Sequence, residues 1–192
     1  MMSLAEPVTS LVLTADGLAN LPDDGIERDL IRGELREWPM TRRNPMHSES
    51  ETLISHHLWS WVESQPSPRG KVVGGEAGFR LKQDPVTYVG IDVAYISPEM
   101  AAAHDRKRKY FDGPPVLAVE ILSPSDLHEN IVEKVEIYLE VGTVVWVVDP
   151  DFRVVAVHRP GETPAHFNER QELDANPYLP GFRVPVSRFF GD

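Results

Sequence analysis

Cysteine is absent from the 192 residues. No disulfide framework, thiolate metal site or cysteine nucleophile can therefore be built, and a reducing, cytoplasmic setting fits. Long apolar runs are missing too. None approaches the ~18–20 residues a bilayer-spanning helix needs, so no membrane partner is expected. The opening stretch MMSLAEPVTSLVLTADG has no positive charge ahead of its short apolar patch, which argues against a secretory signal. Positive charge is scarce overall: 19 Lys and Arg stand against 30 Asp and Glu, a net charge of −11. That excludes a protein that coats nucleic acid through a broad positive field, but not a local basic patch. HExxH, GxSxG and GxxxxGK[ST] are also absent, which removes the common zinc-protease, serine-hydrolase and nucleotide-loop readings. There is no internal repeat.

Apolar residues are plentiful at 41%, enough for a sizeable core, and the length suits a single domain over 1–192. Within it, residues 1–25 read as an N-terminal extension and 177–192 as a C-terminal packing segment that lays aromatic residues on the domain's edge. Gly33 punctuates a short strand pair around Leu30–Glu37. Ile54, Leu58, Trp61 and Val62 recur at helical spacing and predict a helix over His47–Ser64. Two strands follow, Lys71–Lys82 and Tyr88–Ser97, joined by a turn at Gln83–Pro85. A strand over Val116–Ser123 leads through SPSD, read as turn and cap, into a helix from Leu127 to Val141 closed by Gly142. The unbroken apolar run Val144–Asp149 predicts a central strand, and RVVAVHR another. The order predicts an α/β fold with a mixed β-sheet flanked by helices, carrying extra N-terminal and central hairpin strands.

Two of these strands carry one acid each among apolar neighbours: Asp92 in VGIDVAYI and Glu120 in VLAVEIL. A buried, unpaired carboxylate costs several kcal/mol, so each needs a partner. Two such acids on neighbouring strands repel unless one is protonated or a cation lies between them, and hard oxygen ligands suit Mg2+ or Mn2+. On the helix after Glu120, Ile131, Val135, Tyr138 and Leu139 form the apolar stripe, and Glu129, Glu133, Glu136 and Glu140 lie opposite. Lys134 borders the stripe, where its methylenes can lie on the core and its ammonium can extend inward. Weaker candidates are Glu76, on a glycine-flanked bulge with an exposed side chain expected; His47 and Glu51, on the core side of the first helix turn; and Glu34, beside Gly33. The run Arg106, Lys107, Arg108, Lys109 is either a solvated loop or a phosphate-binding patch.

At these residues the chain resembles the Uma2 family, formerly a domain of unknown function, in the PD-(D/E)XK nuclease-like superfamily. LIRGEL resembles its Gly-Glu hairpin, His47 the histidine that opens its first helix, and GIDVAYIS its proline–aspartate strand. PPVLAVEILSPSD resembles its acidic strand, EKVEIYLEVGTVVWVVDP its lysine helix and YLPGFRVPVSRFF its C-terminal signature. The resemblance implies a restriction-endonuclease-like core and a magnesium site at Asp92 and Glu120, with the Ile121 carbonyl as a further ligand. The wider superfamily has a lysine two residues after the acid, where this chain has Leu122. The family pattern moves that lysine to the helix, at Lys134. Ile91 stands where the family has proline. The implied activity is metal-dependent hydrolysis of DNA phosphodiester bonds, with the basic run on flanking phosphates. The alternatives are a degenerate nuclease-fold module that binds nucleic acid or protein, and a structural or regulatory homodimer.

Overall fold

The computed structural model describes residues 14–22, 24–39, 44–124 and 126–191. Residues 1–13 of the expected N-terminal extension lie outside them. The next residues form a short helix, α1 (Ala15–Ala19), capped by the Thr14 hydroxyl, which accepts from the Gly17 amide. The hairpin β1 (Ile26–Ile31) and β2 (Glu34–Pro39) turns at Arg32 and Gly33, both at positive φ. It is longer than the apolar pattern predicts, because charged residues pair in the ladder as readily as apolar ones at a solvated edge.

Helix α2 (Pro45–Ser64) begins with Asn44, whose side chain accepts from the His47 amide at 2.7 Å, and with proline in the first turn. Both are standard helix-start chemistry, the cap contributing about 1 kcal/mol. Ile54, Leu58, Trp61 and Val62 are buried as their spacing predicts. The long hairpin β3 (Lys71–Gln83) and β4 (Val86–Ile96) follows, then α3 (Pro98–Ala103), the two-residue β5 (Phe111–Asp112) and β6 (Leu117–Ile121). Helix α4 (His128–Glu140) leads to β7 (Val144–Asp149), β8 (Val154–His158) and β9 (Ala165–Asn168). A small pair, β10 (Glu172–Asp174) and β11 (Arg183–Pro185), precedes a 3-10 turn over Val186–Phe189.

The main sheet runs β2-β1-β4-β6-β7-β8-β9, with β3 on the other edge of β4 and β5 on β3. β6 and β7 are parallel and joined through α4; the other pairs along this path are antiparallel. This is the mixed sheet the element order predicts. One face packs on α2 and the C-terminal segment, the other on α4. The tail is no edge dressing. Phe182, Phe189 and Phe190 are buried in the α2-side core with Trp146, and two indoles pin the segment. Trp61 Nε1 donates to the Pro180 carbonyl at 3.0 Å and Trp146 Nε1 to the Tyr178 hydroxyl at 2.8 Å. Among the described residues, no helix is long and apolar enough to cross a membrane.

The strand that matters most is β4. Along one edge β3 follows it almost throughout. Along the other, β1 pairs with it only at Leu30–Tyr88, and β6 only from Val93–Val119 to Tyr95–Leu117. Between those two contacts the sheet forks, and Gly90 to Asp92 line the gap.

Candidate active site

The β4–β6 register, continued by one pair, sets Asp92 opposite Glu120 where the ladder stops. Beyond that point the strands part, and Asp92 fills the opening: its Oδ2 accepts from the Ile121 amide at 2.8 Å. The N–H and C=O of an extended residue leave the strand on the same edge, so the Ile121 carbonyl also faces β4. The pleat of β4 is broken at the same place. Ile91 belongs to the layer under α4 and Val93 to the layer under α2, although strict alternation would put both on one face. Opposite Asp92, β3 carries a bulge at Gly75 and Glu76, both at positive φ. The extra residue turns the strands locally where Asp92 enters the fork.

Glu120 points to the α4 side. Its Oε1 accepts from the Tyr138 hydroxyl at 2.5 Å and its Oε2 from Lys134 Nζ at 3.2 Å. Lys134 also donates to the Gly90 carbonyl at 3.2 Å. It does not merely border the apolar stripe. Ile137, outside the expected stripe, is buried, so Lys134 lies between Ile137 and Tyr138 inside the buried arc. Ile131 and Leu139 are only half-buried. Asp126 does not cap α4; its carboxylate closes the turn backward, accepting from the Ser123 amide.

His47 is fully buried, with Nε2 3.3 Å from Asp92 Oδ1, and among the described residues neither ring nitrogen has a well-formed hydrogen bond. Glu51, one turn on, accepts from the Gly75 amide at 2.8 Å and so ties α2 to the bulge. Glu76 is half-buried rather than exposed, its carboxylate lying where a side chain on Gly90 would stand. Glu34 does not join the group: its side chain is 70% exposed and pairs with Arg36. The basic loop lies exposed beyond α3. Arg108 pairs with Asp112 and covers the Tyr110 ring, while Arg106, Lys107 and Lys109 face solvent. Tyr110 in turn packs edge-on against Tyr88. Tyr88, with Asp29, Glu76, Gly90 and α1, lines a cleft of about 230 Å³ beside the fork. Leu122 lines an apolar cavity of about 510 Å³ with Ile131, Val135 and Val147.

Two residues of the group escape the sequence reading. Tyr138 counts there as core, yet its hydroxyl holds Glu120. Asp29 falls outside a strand begun at Leu30, yet it is buried in β1 and accepts from the Gly90 amide at 3.0 Å. An acid placed directly before the apolar pair Leu30–Ile31 was the available signal.

Burial raises the Glu120 carboxyl to about 7, with Asp92 adding repulsion and Lys134 and Tyr138 opposing. Burial raises Asp29 as well, against Lys134 and the Gly90 amide. Asp92 goes the other way: burial pushes it up, but His47, the Ile121 amide and Lys134 outweigh that. Burial alone would depress Lys134, yet Glu120, Asp29, Tyr138 and Asp92 hold it well above its ordinary value. Among the described residues no three His, Asp or Glu side chains converge as a ready metal cage. The two carboxylates and the Ile121 carbonyl are nonetheless the hard oxygen donors that a magnesium-like ion takes, since it needs few protein ligands and keeps several waters.

Residues 16–187 match the family described as "Uma2: Putative restriction endonuclease". The fold matches the crystal structure of "a putative nuclease belonging to DUF820 from Anabaena variabilis ATCC 29413", with a TM-score of 0.76 over 93% of this chain and 97% of that one, at 19% identity. A likeness at that identity speaks for the fold. No curated protein matches the chain.

Proposed function

The chain belongs to the Uma2 family, and from that premise and the Asp92–Glu120–Lys134 group we propose that it is a metal-dependent endonuclease hydrolysing phosphodiester bonds of DNA. One observation carries the reading. Two buried carboxylates meet across the end of the β4–β6 ladder, and an ammonium from α4 enters the same fork.

Asp92, Glu120 and the Ile121 carbonyl would hold Mg2+ or Mn2+. Such an ion supplies Lewis-acid polarisation of a phosphodiester. The chain's own groups do the rest. Lys134, anchored on Gly90, stabilises negative charge growing on the phosphate or orients the attacking water. His47 backs Asp92 from α2. Arg106, Lys107 and Lys109, with Arg108 partly engaged by Asp112, take flanking phosphates and position the duplex.

A second reading is a catalytically degenerate module, or a regulatory homodimer, that keeps the fold without the chemistry. It draws on the satisfied state of Glu120, whose oxygens are already taken by Tyr138 and Lys134. Mn2+ titrated calorimetrically, followed by incubation with plasmid and with single-stranded DNA, separates the two. The nuclease reading expects binding and cleavage, both lost in Asp92→Asn and in Glu120→Gln. Ion binding without cleavage of either substrate supports the regulatory reading, and ion binding undiminished in either variant sinks the metal assignment.

A further inference from the structure

Asp29 has no role in the mechanism above. Acids on strands ordinarily turn to water, but this one is 2% exposed. Its two oxygens differ. Oδ1 accepts from the Gly90 amide at 3.0 Å, whereas among the described residues Oδ2 has no hydrogen-bond partner and lies 3.7 Å from Lys134 Nζ. A buried acceptor left unmatched is costly, and Lys134 is the cation within ion-pair reach of it among the described residues.

Gly90 joins the two. It sits in the fork, where neither β1 nor β6 pairs with it, and its amide and carbonyl leave β4 on that open edge. The amide is taken by Asp29 and the carbonyl by Lys134. An ammonium carries three protons. Lys134 accordingly faces three acceptors: Glu120 Oε2, the Gly90 carbonyl and, at longer range, Asp29 Oδ2. The first of these is the group that the nuclease reading assigns to the ion. The other two belong to β1 and β4 and stay in place whatever Glu120 does.

Resting on that reading, we infer that Asp29 is a positioning residue that holds the Lys134 ammonium at the fork, against Gly90, while Glu120 is engaged elsewhere. A lysine is a point charge on a flexible four-carbon stem, so its value in a site depends on being confined. Asp29 supplies that confinement through charge and touches no reacting atom.

Asp29→Asn keeps the volume and an oxygen for the Gly90 amide while removing the charge; Asp29→Ser serves if that variant fails to fold. Single-turnover cleavage should fall about tenfold to a hundredfold, the scale of a small misplacement of a working group. Mn2+ affinity should match the parent. On a Lys134→Met background, Asp29→Asn should cost no further rate, because a residue acting through another shows no separate effect once that partner is gone. A second readout needs no cleavage: nitrogen NMR on isotopically labelled lysine, with the Lys134 ammonium identified by its disappearance in Lys134→Met. Its protons should exchange slowly with water in the parent and rapidly in Asp29→Asn. A parent that cleaves no DNA defeats the nuclease reading, while the NMR comparison still decides the clamp. Unchanged exchange overturns the inference. So does a rate loss that persists without Lys134, or a drop in Mn2+ affinity, which would make Asp29 a ligand.

Discussion

Glu120 shows how one buried side chain can set the pH behaviour of the metal-free protein. Burial raises its carboxyl from an ordinary 4.5 to about 7. The folded state then holds a proton more tightly than the unfolded chain, so its contribution is least unfavourable below about 4.5, and stability falls as pH rises through about 7. The full effect is on the order of 3 kcal/mol. Chemical denaturation across this window in chelator should show the decline, and Glu120→Gln should flatten it. A decline of equal slope in the variant would assign the titration elsewhere. Lys134 has the opposite character. Lys134→Met should keep the helix, since both residues favour it. At neutral pH, however, it removes the countercharge of Glu120 and Asp29, and breaking such a buried pair costs about 3–5 kcal/mol. The loss should shrink in acid as the carboxyls protonate. A melting temperature unmoved at neutral pH would mean the ammonium is not paired inside.

Among the elements, the bulge in β3 does for the site what no single residue could. It lies opposite Asp92, where the pleat of β4 breaks, and Glu51 from α2 holds it by the Gly75 amide. Gly75 stands at φ 73, a conformation that costs an L-residue roughly 1–2 kcal/mol. Gly75→Ala should lower stability by that amount and, by displacing β4 at Asp92, weaken Mn2+ binding as read by calorimetry. Reduced stability with Mn2+ affinity intact would make the bulge a turn device only. The glycine pair made the bulge legible in the sequence. The position of Lys134 was only half legible, because the apolar spacing places residues by angle alone, and Ile137, outside the expected stripe, is buried in the α4-side core. Asp29 was hidden, because β1 is held by backbone pairing with β2, to which its charged residues contribute no apolar pattern.

Across the whole molecule, charge works against the proposed substrate, so the basic loop must act locally. Replacing Arg106, Lys107, Arg108 and Lys109 with serine should weaken DNA binding and reduce the log–log salt slope by about 0.9 for each phosphate that is no longer neutralised. Arg108, already paired with Asp112, should contribute least. A slope that does not change would leave the loop a solvated connection. The sequence alone determined the kind of protein this is: apolar strands each interrupted by a single acid, a helix with its buried stripe at Ile54, Leu58, Trp61 and Val62, and the helix between two strands that makes β6 and β7 parallel. These are local patterns, and short stretches of chain carry them whole. Only the tertiary structure decided that Asp92 meets Glu120, that Asp29 and Tyr138 join them, and that the C-terminal aromatics enter the core. Each of those meetings depends on strand register and on segments far apart in the chain, and register is set by the packing of both sheet faces at once, which no single segment contains.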